Sequence, residues 1–158
     1  MPSVLGIDPG LTGALAFNVD GRVSVFDMPV LEIKRGGKTK RELDLPALKD
    51  IIRSFYAYNP KGEAWVEKAQ AMPKQGTSSM FAYGQSYGAV LGILAAFSIP
   101  LTKIHPTVWK KKMGVNAGKD GCRQRASEIF PQYADNWPLK KHHGRAEAAL
   151  IAAYGAQQ

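Results

Sequence analysis

The chain has 158 residues, and its 21 Lys and Arg against 13 Asp and Glu give a formal charge of +8 and a pI near 9.6. With 45% hydrophobic and 22% charged residues it has a globular composition, which excludes a disordered chain, and its length fits one domain that holds together without a disulfide or structural metal. The single Cys122 excludes an internal disulfide and fits a reducing, cytoplasmic compartment; no run of about 18 apolar residues and no basic leader precede or interrupt the fold, so neither a membrane span nor a secretory signal is expected.

The apolar run Val4 to Asp8 closes in Asp-Pro-Gly and predicts a buried strand followed by a turn. Residues 13–19 predict a second strand, Asp20-Gly21 a two-residue hairpin, and 22–28 a third strand. Residues 29–43 read as a polar, glycine-containing loop. Asp44 then caps a helix with Pro46 in its first turn and Leu48, Ile51, Ile52 and Phe55 on one face, and Asn59 to Gly62 stop it. A short fourth strand, 64–67, is followed by a loop over 69–77 and a long helix over 78–97. Residues 99–104 predict the fifth strand. Pro106 opens a short basic helix, 119–130 another, 131–141 is irregular, and 143–154 closes the chain as a helix. Three hairpin strands followed by strands alternating with helices imply an α/β fold: a mixed five-stranded sheet flanked by helices, in RNase H-like order, as one domain over 1–158.

The positive charge is clustered over 34–41, over 110–125 and over 140–145. Such clusters serve as solvated loops or as contacts to a polyanion whose binding would weaken with salt. The expected DNA contacts are Lys34, Arg35, Lys38, Lys40, Lys74, Lys110, Lys111, Lys112, Lys119, Arg123, Lys140 and Lys141.

Acidic residues stand where strands end. Asp8 closes the first strand and Glu67 the fourth; if those strands are neighbours, both carboxylates lie at one sheet edge, where they repel each other unless a cation joins them. Hard oxygen ligands suit Mg²⁺ or Mn²⁺. His143 and Glu147 are four residues apart and share a helix face. Three carboxylates and an imidazole suffice for two ions about 3.5–4 Å apart, a clamp for the oxygens of a phosphodiester. Taken singly, Asp8 also reads as a turn residue, Glu67 and Glu147 as surface acids, and His143 as the start of a basic helix.

Four segments, in this order, resemble those of the RuvC-type Holliday junction resolvases: Ile7-Asp8-Pro9-Gly10, Gly84-Gln85-Ser86-Tyr87-Gly88, Gly114 to Lys119, and Gly144-Arg145-Ala146-Glu147-Ala148-Ala149-Leu150. The last is similar to the form in phage-encoded members, and the likeness runs from about Val4 to Tyr154. The resemblance implies paired nicking of four-way and other branched DNA junctions by a homodimer, with two Mg²⁺ per active site (Mn²⁺ as substitute), in the cytoplasm or, for a phage protein, the host cytoplasm. It matches Asp8, Glu67 and Glu147 to the family's carboxylate ligands and Lys119 to its lysine near the scissile phosphate. The fourth ligand position usually lies three residues before the last carboxylate. Here that residue is Gly144, and His143, four before, is the candidate, with His142 beside it. Bacterial members carry an aromatic wedge soon after the second acid. Lys68 to Met72 has none, which leaves Phe81, Tyr83 and Met72 as substitutes.

Gly84, Gly88 and Gly92 form a bare stripe on the long helix, suited to a neighbour inside the fold or to a dimer contact. Phe81, Tyr83 and Tyr87 are expected in the core more than against bases, and Trp109 is expected to be buried. Two other functions compete: a DNA-structure binding protein without nuclease activity, and an actin-like phosphotransferase. The second would use Asp8 to Thr12 as a phosphate hairpin, but it needs a second lobe that this chain does not supply.

Overall fold

The computed structural model describes residues 3–71, 73–118 and 120–158. Its main sheet contains β1 (Val4–Asp8), β2 (Ala14–Val19), β3 (Arg22–Asp27), β6 (Glu63–Glu67) and β7 (Leu101–Ile104), in the order β3-β2-β1-β6-β7. The first three are antiparallel; β6 and β7 join in parallel. Asp20 and Gly21, at φ 51° and 79°, make the tight β2–β3 turn.

Both faces of this sheet are covered, which is why β1 is a continuous apolar run rather than an alternating one. Leu5 and Ile7 point to one face, where Leu48, Ile52 and Phe55 of α1 (Leu45–Tyr58) and Val90 and Leu94 of α2 (Thr77–Ala96) complete a core. Val4 belongs to the other core, with Trp109 of α3 (Pro106–Lys112), Cys122 and Ala126 of α4 (Gly121–Ile129), and the apolar face of α5 (His143–Gly155). Asp44 caps α1 as expected, its Oδ1 accepting from the Ala47 N–H at 3.0 Å.

The mixed five-stranded sheet and its flanking helices match the expected fold class, with element ends shifted by a residue or two. One stretch differs in kind. Residues 29–43 are not a loop: β4 (Val30–Arg35) and β5 (Lys38–Leu43) pair as a separate antiparallel ribbon. Gly36 and Gly37, at φ 55° and 74°, supply the left-handed pair that a two-residue hairpin turn requires. The density of charge hid that signal and the apolar Val30, Leu31, Ile33 and Leu43 around it. The 131–141 stretch, expected to be irregular, contains a 3₁₀ helix over Pro131–Asn136 and leads into a 3₁₀ turn at Lys140–His142.

How closely α5 lies on β1 decides the placement of its acid. A Cβ at Gly6 would fall 2.3 Å from the Ala148 carbonyl oxygen and 2.5 Å from the Ala152 nitrogen, so backbone meets backbone there. At the start of the helix, a Cβ at Gly144 would fall 2.5 Å from the Thr12 carbonyl oxygen. Arg145 then ties the helix to β3 through a two-pronged pair with Asp27, both contacts at 2.7 Å.

Candidate active site

β1 and β6 run side by side with Ile7 paired to Val66, so Asp8 and Glu67 are the last residues of two adjacent strands. α5 crosses this end of the sheet and delivers Glu147. Each of Asp8, Glu67 and Glu147 offers a carboxylate oxygen, and the three oxygens lie within 4.8 Å of one another. Residues separated by 59 and 80 positions thus meet at one point.

The crowding shows in their acidities. Asp8 is held well above the usual carboxylate range, first by burial and then by the charges of Glu147 and Glu67, against a lowering contact from the Gly10 N–H. Glu67 is raised too, by burial and by Glu147, while a hydrogen bond from Trp109 Nε1 to its Oε2 at 2.8 Å and the charge of Lys110 pull the other way. Glu147 is only 6% exposed. It is matched by Lys110, whose Nζ sits 2.7 Å from Oε1. Burial alone would lower the Lys110 pKa, but this pairing raises it. The same ammonium lies 5.1 Å from the centre of the Trp109 ring. Tyr83 of α2 faces the cluster, its phenol pushed upward by burial and then by Asp8 and Glu67.

Two further groups meet Glu147. His143 Nδ1 lies 3.6 Å from Oε2, and the Cys122 thiol donates to Oε1 across 3.6 Å. His142 turns elsewhere: its Nδ1 accepts from the Leu139 N–H at 3.3 Å, and burial, with Arg145 and Lys141 nearby, lowers its pKa. Of the two histidines, His143 is therefore the one at the acidic cluster. Gly144 explains the shifted frame. With the Thr12 carbonyl in the way, the residue three before Glu147 has no room for any side chain, and the imidazole comes from one position earlier.

The cationic residues named from the sequence divide by environment. Lys34, Arg35, Lys38 and Lys40 are exposed on the β4–β5 ribbon, and Lys74, Lys111, Lys112, Lys140 and Lys141 are exposed elsewhere. Lys110 is engaged with Glu147. Arg123 is engaged within the chain: it bonds Asp120 at 2.6 Å and the carbonyls of Trp137 and Pro138, clipping the segment after α4 to that helix. Lys119 and Met72 lie outside the described residues. Of the α2 aromatics, Tyr87 packs against the core as expected. Phe81 is 68% exposed rather than in the core, and it lines an open groove of about 850 Å³ with Leu11, Lys40, Arg41, Ser78 and Gln85. Trp109 is buried as expected, but its indole N–H serves Glu67, a role that its apolar surroundings did not announce. Nothing in the spacing pointed to Cys122 as a neighbour of Glu147.

The sheet order, the two acids at adjacent strand ends and the third on a crossing helix define an RNase H-like fold of the RuvC type. The comparisons bear out the resemblance seen in the motifs. In an alignment 151 positions long that covers 84% of this chain and 17% of the relative, the chain is 30% identical to a chloroplastic Holliday junction resolvase, MOC1, of Chlamydomonas reinhardtii. The structure of Thermus thermophilus RuvC in complex with a Holliday junction substrate superposes with a TM-score of 0.65 at 16% identity, covering 99% of this chain and 96% of that one. The yeast mitochondrial Holliday junction resolvase Ydc2 superposes with a TM-score of 0.56 at 16% identity, covering 97% of this chain and 77% of that one. No protein-family model matches the chain. Among the described residues, no helix is long and apolar enough to cross a membrane.

Proposed function

We propose that the chain is a metal-dependent endonuclease, one nuclease domain over 1–158, that resolves four-way DNA junctions and related branched DNA by paired nicks. The observation that carries this reading is the meeting of Asp8, Glu67 and Glu147 within 4.8 Å on a RuvC-type fold in a chain of net charge +8. The donor set fits the expected ions. Three hard carboxylates face the ammonium of Lys110, which offsets only part of their charge and leaves the cluster anionic enough for Mg²⁺ or Mn²⁺. Asp8, Glu67 and Glu147, with His143 at the edge, would hold a pair of ions, which supply Lewis acidity at the scissile phosphate.

The chain's own residues do the rest. The His143 imidazole, 3.6 Å from Glu147 Oε2, is placed to act as a general acid or base. Lys119 is the proposed partner of the scissile phosphate, where its charge would offset the charge that develops there. Trp109 and Tyr83 wall the cluster and exclude water from two sides.

The DNA path we infer runs along the ribbon and the groove beside it. Leu11, three residues after Asp8, lines that groove together with Lys40 and Arg41. A two-stranded ribbon fits a major groove about 12 Å wide. In the ribbon Arg35 stands directly opposite Lys38, a like-charge pair that a phosphate would relieve. Lys74, Lys111, Lys112, Lys140 and Lys141 add exposed positive charge, and Phe81 is the aromatic best placed to stack at a junction. Two symmetric nicks call for two active sites. The bare stripe of α2 at Gly84, Gly88 and Gly92, open to solvent in the single chain, supports a homodimer about that helix. The free cysteine suits a cytoplasmic setting.

Strand-resolved cleavage of mobile four-way, three-way and linear duplex DNA, with Mg²⁺ and with Mn²⁺, tests the proposal. Symmetric nicks in the four-way substrate are expected, lost by orders of magnitude in Asp8→Asn and Glu67→Gln while junction binding persists. Junction binding by the wild type without any metal-dependent nicking would instead mark a binding protein, and nicking at the wild-type rate in either variant would remove these carboxylates from the chemistry.

A further inference from the structure

We propose that Cys122, His143 and Glu147 form a second metal site, selective for a thiophilic divalent cation such as Zn²⁺, and that filling it switches the nuclease off. The three residues each offer one ligand atom, and those sulfur, nitrogen and oxygen atoms lie within 4.8 Å of one another. A tetrahedral zinc with bonds of about 2.3 Å to sulfur and about 2.0–2.2 Å to nitrogen and oxygen sets its ligands roughly 3.4–3.6 Å apart. The structure has 3.6 Å from Cys122 Sγ to Glu147 Oε1 and 3.6 Å from His143 Nδ1 to the other oxygen, Oε2, so the thiol and the imidazole flank one carboxylate at ligand spacing, and all three ligand atoms lie within 4.8 Å. Solvent reaches the fourth corner past His143, whose side chain is 39% exposed.

Charge and softness favour this cation over Mg²⁺. A thiolate and a carboxylate cancel a divalent charge, which suits a corner where Cys122 and Glu147 are both buried. Coordination removes the thiol proton, which leaves to solvent. Thiolate and imidazole ligands select Zn²⁺, whereas the all-oxygen set of Asp8, Glu67 and Glu147 selects harder ions. Glu147 belongs to both sets, and His143, at the edge of the first, belongs to the second. A zinc ion at Cys122 would displace Lys110 from Oε1, and Lys110, at the surface end of α3, is free to swing into solvent. It would also fix Glu147 and His143 away from Asp8 and Glu67. The loss of activity rests on the proposed nuclease function; the site itself does not.

The two are separated by using Co²⁺ as the spectroscopic probe on the full chain. One equivalent should give a near-ultraviolet thiolate charge-transfer band and tetrahedral visible bands, displaced by Zn²⁺ but not by millimolar Mg²⁺. Cys122→Ala and the closely isosteric Cys122→Ser, each checked by circular dichroism for an intact fold, should lose the charge-transfer band. In junction cleavage with Mg²⁺, Zn²⁺ should inhibit the wild type at concentrations about tenfold or more below those needed for Cys122→Ala, a difference set by the lost ligand. Zinc inhibition of each protein is measured against that protein's own zinc-free rate. A wild type with no thiolate band, a band that survives in both variants, or equal zinc sensitivity would overturn the proposal. A band that behaves as expected in a protein that never nicks would uphold the site and reject the nuclease reading.

Discussion

Helices α2 and α5 are both rich in glycine and alanine, yet the structure uses their small residues in opposite ways. On α5, Gly144, Ala146, Ala148, Ala149 and Ala152 are all buried, because the helix backbone lies directly on β1 and on the β1–β2 turn. On α2, a Cβ added at Gly84, Gly88 or Gly92 would meet nothing within 4 Å. The same chemistry thus brings an acid into register in one helix and leaves a face unpartnered in the other. Small side chains say how near something can come, not what comes near.

The sharpest way to break this contrast is to thicken the tight side. Gly6→Ala drives a methyl group into the Ala148 carbonyl and the Ala152 nitrogen, neither of which can rotate away. It should destabilise the protein by about 3 kcal/mol, the upper part of the usual overpacking range, in denaturant melts. Any folded remainder should bind Mn²⁺ more weakly, since Glu147 is carried on the displaced helix. A neutral Gly6→Ala would mean that α5 does not sit where its acid requires.

A milder effect comes from the charge that this tight contact assembles. In the folded chain Asp8 and Glu67 keep their protons to higher pH than in the unfolded chain. Between the unfolded and the folded titrations these two groups bind more protons in the folded state, so their contribution to metal-free stability is full at low pH and is lost as pH rises through their folded-state titrations, opposite in sign to that of Asp27. Mg²⁺ should restore it, and more so at alkaline pH. Asp8→Asn should raise metal-free stability near neutrality and flatten the slope, because it removes a carboxylate that burial and its neighbours hold above its ordinary range. Thermal melts across pH, with and without Mg²⁺, measure this. A wild type that gains no stability relative to Asp8→Asn as pH is lowered would contradict the crowding of the acids.

The smallest effect belongs to the open side. Gly88→Ala should stabilise an isolated chain by up to about 1 kcal/mol, the helix propensity gained where no neighbour objects. It should weaken self-association, seen by sedimentation, if two copies meet across this stripe. Unchanged association would move the dimer contact elsewhere.

Much of the candidate site was readable before folding. Asp8 and Glu67 stood at the ends of apolar runs, and a strand end at a sheet edge is where a buried run can first tolerate a charge. His143 and Glu147 shared a helix face by their spacing alone. The ribbon over 30–43 was missed because charge density outweighed a Gly-Gly turn signal and its apolar flanks. Lys110 was read as one of three surface lysines, and only the direction of α3 separates it from Lys111 and Lys112.

The sequence by itself determined the order of the five main-sheet strands and of the helices, the burial of β1, and which residue types stood ready for metal chemistry, because periodicity and strand ends are local properties. Tertiary structure alone decided that Glu147 shares its carboxylate with Lys110, Cys122 and His143, that Gly144 leaves no room for a ligand, and that the α2 stripe is bare. Those facts depend on how close one backbone approaches another, a distance summed over the whole packed fold and written in no single segment of the chain.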